Sequence, residues 1–137
     1  MELDLIAQWL YETLSGDATL AGMVDARIYE DMAPEAASHP LIVFELAESA
    51  DENAVNGSRA AVSAEVTVRA IGEGLDFAPL APVVNRVDAL LHQQRGSVTG
   101  LDILGCVRLR SIKYPEADTD AHYVHRGGVY RIWAEPA

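Results

Sequence analysis

The stretch from Ala60 to Ile71 constrains this chain more than any other. Val62, Ala64, Val66, Val68 and Ala70 alternate with Ser63, Glu65, Thr67 and Arg69. A period of two puts the first set on a dry face and the second on a wet face, which predicts a half-buried β-strand. The run would extend about 36 Å, longer than an ordinary strand. A helical pattern follows from Phe77 to about Gln94, with Leu80, Val83, Val84, Val87, Leu90 and Leu91 on one side. Such a strand and such a helix satisfy each other by packing face to face. The predicted class is α+β: an antiparallel sheet of about four strands with helices packed on one face.

The remaining elements fit that frame. Leu3 to Leu14 reads as an amphipathic helix with Glu2 and Asp4 in its first turn, where the helix dipole favours acids. Trp9 on its apolar side is expected in the core. Ser15-Gly16 ends it, and Asp17 is the expected N-cap of a short helix through Val24. Arg27-Ile28-Tyr29 is a short extended piece, and a loop with Pro34 and Pro40 leads to a strand from Leu41 to Leu46. That strand is apolar on both faces except at Glu45, so it is expected inside the sheet. Glu48 to Ser58 reads as an acidic loop ending in the turn Asn56-Gly57. In the helix that follows Phe77, Pro79 and Pro82 place the regular part from Ala81 or Pro82, with Gly96 as its end and with Arg86 and Asp88 facing away from the core. Ile103 to Lys113 is a strand expected to carry Arg108 and Arg110 on one face. Tyr114 to Ala121 is a loop broken by Pro115, and Tyr123 to Ala134 is the last strand. Gly127-Gly128 within it predicts a bulge or a close backbone approach. No repeat or linker divides the 137 residues, so one α+β domain over 1–137 is expected.

Charge separates along the chain. Up to Gly57 there are twelve acids and one base, Arg27, whereas from Ser58 onward nine acids meet nine bases. The whole net charge of −11 therefore belongs to the first part. This argues against wrapping a phosphate backbone. It suits either a solvated surface or a molecule with an acidic side and a mixed side that associates head to tail. The single cysteine, Cys106, excludes an internal disulfide and a cysteine zinc site. No apolar run approaches the roughly 20 residues of a membrane helix, and Glu2 and Asp4 stand where a signal peptide would carry basic residues. A protein without membrane contact is expected.

No reaction centre emerges. His122 and His125 are three apart in a strand and fall on opposite faces. Asp118, Asp120 and His122 alternate to one side but lack the glycine and terminal glutamate of a calcium loop. No metal, cofactor or catalytic residue is expected, and the chain is read as a non-enzyme. Arg108, Arg110 and Lys113 form the basic cluster, expected either to pair with neighbouring acids or to contact the acidic part of another copy.

The order Leu10-Tyr11-Glu12-Thr13-Leu14, Asp17-Ala18-Thr19-Leu20, Val24, Arg27-Ile28-Tyr29 and Pro40-Leu41-Ile42-Val43-Phe44 resembles the small tail-completion, or tail-terminator, proteins of long-tailed bacteriophages and phage-like elements. The likeness continues through Val66-Thr67-Val68-Arg69-Ala70, Leu90-Leu91 and Gly128-Val129-Tyr130-Arg131-Ile132. Asp25-Ala26 departs from it, since the family often has glycine before the equivalent of Arg27. The resemblance implies a virion assembly protein at the head-proximal end of the tail, assembled in the host cytoplasm. It implies a homo-oligomeric ring, usually hexameric, that caps the tail tube protein and offers a docking surface to the head-completion or connector protein. DNA would pass through without specific binding. The alternatives are a head-completion or head-tail adaptor protein and a small ligand-binding α+β domain. Glu48, Asp51, Glu52, Arg69, Arg108, Arg110, Lys113, Asp118 and Asp120 are the candidate ring and tube interface.

Overall fold

The computed structural model describes residues 2–53 and 59–137, with backbone alone for 47–49, 51–53, 59 and 60. Helix α1 (Glu2–Ser15) and helix α2 (Ala18–Val24) lead into strand β1 (Ile28–Glu30). Strands β2 (Leu41–Asn53) and β3 (Arg59–Glu73) follow, then helix α3 (Ala81–Leu91). Strands β4 (Gly96–Val98), β5 (Leu101–Ala117) and β6 (His122–Pro136) complete the chain. The six strands form one sheet in the order β1-β2-β3-β6-β5-β4. Four of them are long and pair antiparallel with one another; β4 is a three-residue piece also paired antiparallel. The short β1 runs parallel to β2, so the sheet is mixed, mostly antiparallel, rather than purely antiparallel.

Strand β3 sits at the centre and shows the expected alternation. Val62, Ala64, Val66, Val68 and Ala70 are buried, while Ser63, Glu65, Thr67 and Arg69 are partly exposed. Against the buried face pack Ile6, Leu10 and Leu14 of α1, Leu20 and Val24 of α2, and Val83, Val87 and Leu91 of α3. Each such buried aliphatic side chain contributes about 2 kcal/mol of transfer free energy. Trp9 is buried against Gly96, where a Cβ would collide with the indole nitrogen. Gly96 therefore serves the packing of α1 and opens β4; it does not end α3, which stops at Leu91 with His92 as its C-cap. Ahead of α3, Ala78–Leu80 forms a 3-10 turn, started by the Asp76 carboxylate accepting from the Ala78 N–H at 3.0 Å.

Two segments expected as loops are strand. The segment from Glu48 to Asn53 continues β2 instead of looping out, because β3 is long enough to pair with it as far as Arg59. The Asn56-Gly57 turn lies outside the described residues. Tyr114 to Ala117 continues β5, pairing with His122 to His125. Pro115 is accommodated because β5 is an edge strand beyond its short pairing with β4, where a missing N–H interrupts no second ladder. Gly127 fulfils the close-approach expectation: a Cβ there would run into the Val68 carbonyl oxygen on β3. The register irregularities lie instead in the β2–β3 ladder, between Leu46 and Glu48 and between Glu52 and Asn53, and in β5, between Ile103 and Gly105 and between Arg108 and Arg110.

Candidate functional site

The bulge at Leu109 decides where the basic cluster goes. Leu109 has no partner on β6, so the residues on either side of it do not share a face. Arg108 pairs with Tyr130 on the helix-covered side, and Arg110 pairs with Val129 on the opposite side. Strict alternation had placed the two arginines together; the extra residue turns one of them over. Lys113 falls on the helix side and lies 4.7 Å from the centre of the Phe77 ring.

On the helix side, Arg108 joins a compact polar cluster. Asp88 accepts a hydrogen bond from the Tyr130 hydroxyl at 2.9 Å and lies 3.5 Å from the Arg108 guanidinium. Burial and the hydrogen bond to Asp88 push the Tyr130 hydroxyl pKa far above its usual range. His92 Nδ1 accepts the Arg108 backbone N–H at 3.0 Å, satisfying a donor at the bulge. Nearby Cys106 is buried, and burial with the Asp88 charge pushes its thiol up to about 12, which removes it as a nucleophile. Asp88 therefore faces the helix–sheet seam, not away from it. Arg86 is also turned inward along the helices: it donates to both carboxylate oxygens of Asp17 at 2.8 and 2.6 Å. Asp17 in turn caps α2 through the Leu20 N–H. The Arg86 hydrogen bonds and charge, with that N–H, hold the Asp17 carboxyl down to about 2.

The opposite face carries a second set of ion pairs. Arg69 is bonded to Glu45 on the neighbouring strand. Glu65 pairs with Arg131 at 3.2 Å and lies 3.9 Å from Arg110. Toward one end, His125 bonds Glu116 at 2.6 Å and stacks under Tyr114 at 4.5 Å. These groups and Arg69 border an open cleft with Asp31, Met32 and Val43. Arg69 Nε and His125 Nδ1 are buried there without hydrogen-bond partners. His122 is on the other face, as its spacing from His125 requires. Among the described residues no group of three or more histidine, cysteine or carboxylate side chains is placed to hold a metal.

The nine candidate interface residues thus do not form one patch. Glu48, Asp51 and Glu52 lie on β2, and their side chains are outside the described residues. Asp118 and Asp120 occupy the exposed β5–β6 turn, where the Asp118 carboxylate accepts the Thr119 N–H at 2.7 Å. The β2–β3 and β5–β6 hairpins point to opposite ends of the sheet, since β3 runs from the first end to the second. Arg69 and Arg110 occupy the face between them; Arg108 and Lys113 lie on the reverse. Residue patterns did not reveal Glu45, Glu65, Asp88 or Arg131 as partners, because cross-strand register is not readable from one strand alone. The arrangement neutralises charge and stiffens surfaces; it offers no nucleophile beside a base.

Residues 8–132 match the family model described as "Tail completion protein gp17". Among solved structures, a chain of the "Virion of native gene transfer agent (GTA) particle" is similar in fold, with a TM-score of 0.70 at 19% identity over 93% of this chain and 92% of that one. No curated protein sequence matches significantly. A match spanning α1 to β6 leaves the family in no doubt: the chain belongs to the tail completion protein gp17 family, a family of structural, non-enzymatic proteins.

Proposed function

We propose that this tail completion protein terminates the tail tube as a closed ring of copies, six in the usual arrangement, and gives the head its docking surface. The observation that carries the reading is the family match over residues 8–132. The fold likeness to a chain of a gene transfer agent virion supports it.

The sheet suits the task physically. Its two long hairpins end roughly 45 Å apart along β3 at the usual strand rise, so one copy reaches the tube at one end and the head connector at the other. The acidic β2 stretch with Glu48, Asp51 and Glu52 and the turn with Asp118 and Asp120 are the proposed axial contacts. Arg69, Arg108, Arg110 and Lys113 are proposed for contacts between copies. A terminator must bind one end of a polymer yet refuse another tube subunit. A ring of heterologous contacts that closes on itself does this, because it leaves no free lateral surface. Carboxylates around its hole would repel DNA phosphates and let the duplex slide through. The site of action is the head-proximal end of the tail.

Immunogold labelling of separated tails and heads tests the role. Label at one end of isolated tails is expected. Label on heads and none on tails would overturn the terminator role in favour of head completion.

A further inference from the structure

We propose that the two flanks of the sheet are the two halves of one contact, so that the β1 flank of each copy receives the β5 flank of the next. This rests on the ring reading and names the surfaces that close it. The strand order puts β1 and β5 on opposite sides of the central pair β3–β6.

The β1 flank is a groove with an acidic border. Asp4, Gln8 and Tyr11 of α1 face Glu30 and Phe44 across an open cleft. Tyr11 is 47% exposed. The one cation in the first 57 residues, Arg27, is already engaged by Asp25 at 2.9 Å and the Pro40 carbonyl.

The β5 flank is its complement. Leu104 and Leu109 are each 41% exposed, and both are bulge residues without a partner on β6. They stand about 16 Å apart along the strand. Arg108 and Arg110 flank Leu109, and Arg110 is 62% exposed, held only by Glu65 at 3.9 Å. Past Ile103, β5 has no strand on its outer side among the described residues; the hydrogen bonds there are Gln93 N–H to the Cys106 carbonyl and Arg108 N–H to His92. Apolar knobs, one of them beside the exposed Arg110, match a groove bordered by the Asp4 and Glu30 carboxylates. Pairing either flank with its own copy would set acid against acid or arginine against arginine, which disfavours a two-fold dimer. A head-to-tail contact has no such repulsion.

The test is cross-linking of the full chain carrying Tyr11→Cys and Leu109→Cys with a short flexible bis-maleimide. Native Cys106 is buried and stays silent. A ladder of covalent oligomers is expected from the double variant and none from either single variant. Dimers from Leu109→Cys alone, or rings seen by negative stain without any ladder, would overturn the flank assignment while leaving the ring. A monomer at every concentration would overturn both. As a check that needs no new thiol, Arg110→Glu should weaken self-association at least tenfold, and adding Glu30→Arg should restore it; equal association by all three chains would also overturn the assignment.

Discussion

Tyr130 and Asp88 show how much one hydrogen bond across the helix–sheet seam decides. Tyr130→Phe removes the donor and leaves a half-buried carboxylate with Arg108 alone. Loss of about 1–2 kcal/mol of unfolding free energy is expected in urea titration. Asp17 offers a pH-dependent counterpart. Its carboxyl is held down to about 2, from an ordinary 3.8, so its ion pair contributes fully above about pH 4 and fades as pH falls toward 2. Asp17→Asn keeps the helix cap and removes the charge. The variant should be about 1 kcal/mol less stable at pH 7, with the difference from wild type shrinking as pH falls through 2. A difference independent of pH would exclude the ion pair as its source. At this scale the sequence revealed the positions that depend on their own element: Trp9 in the core, Asp17 as a cap, Gly127 as a close approach. Arg86 and Asp88 were not legible. Helical spacing tells which side of α3 they occupy, but not that Asp17 and Tyr130 are waiting there.

Among the elements, β3 was legible almost residue by residue because alternation survives wherever one face is buried. β5 was not, because two bulges interrupt its alternation and its far end is an edge where proline is tolerated. Deleting Leu109 tests the bulge directly. Without the extra residue, Arg108 and Arg110 become adjacent in an unbroken alternation, so Arg108 stays opposite Tyr130 beside Asp88 and Glu116 stays with His125. The fold is expected to survive with a loss of no more than about 1 kcal/mol in thermal or urea unfolding; a loss of about 4 kcal/mol or more would mean that Leu109 is not the residue that turns Arg110 over. Hydrogen exchange should rank the strands by position: amides in the middle of β3 and β6, paired on both sides, exchange slowest, and those of β1 and β4 fastest.

For the whole molecule, the class was legible because one alternating strand and one amphipathic helix demand each other. The charge split along the chain also acquired a spatial meaning: Glu30 and Glu45 lie on β1 and β2, Arg108 and Arg110 on β5, and the strand order separates them by β3 and β6. What stayed hidden was the pair of surfaces proposed to meet, since Leu104, Leu109 and Tyr11 read as ordinary apolar positions until their exposure is seen. Copies of this chain are proposed to join flank to flank until they close. Sedimentation velocity across a wide concentration range, with negative-stain images of the same samples, tests it most directly. A discrete closed species larger than a dimer, seen as rings with a central hole, is expected. A monomer or a two-fold dimer at every concentration would contradict it.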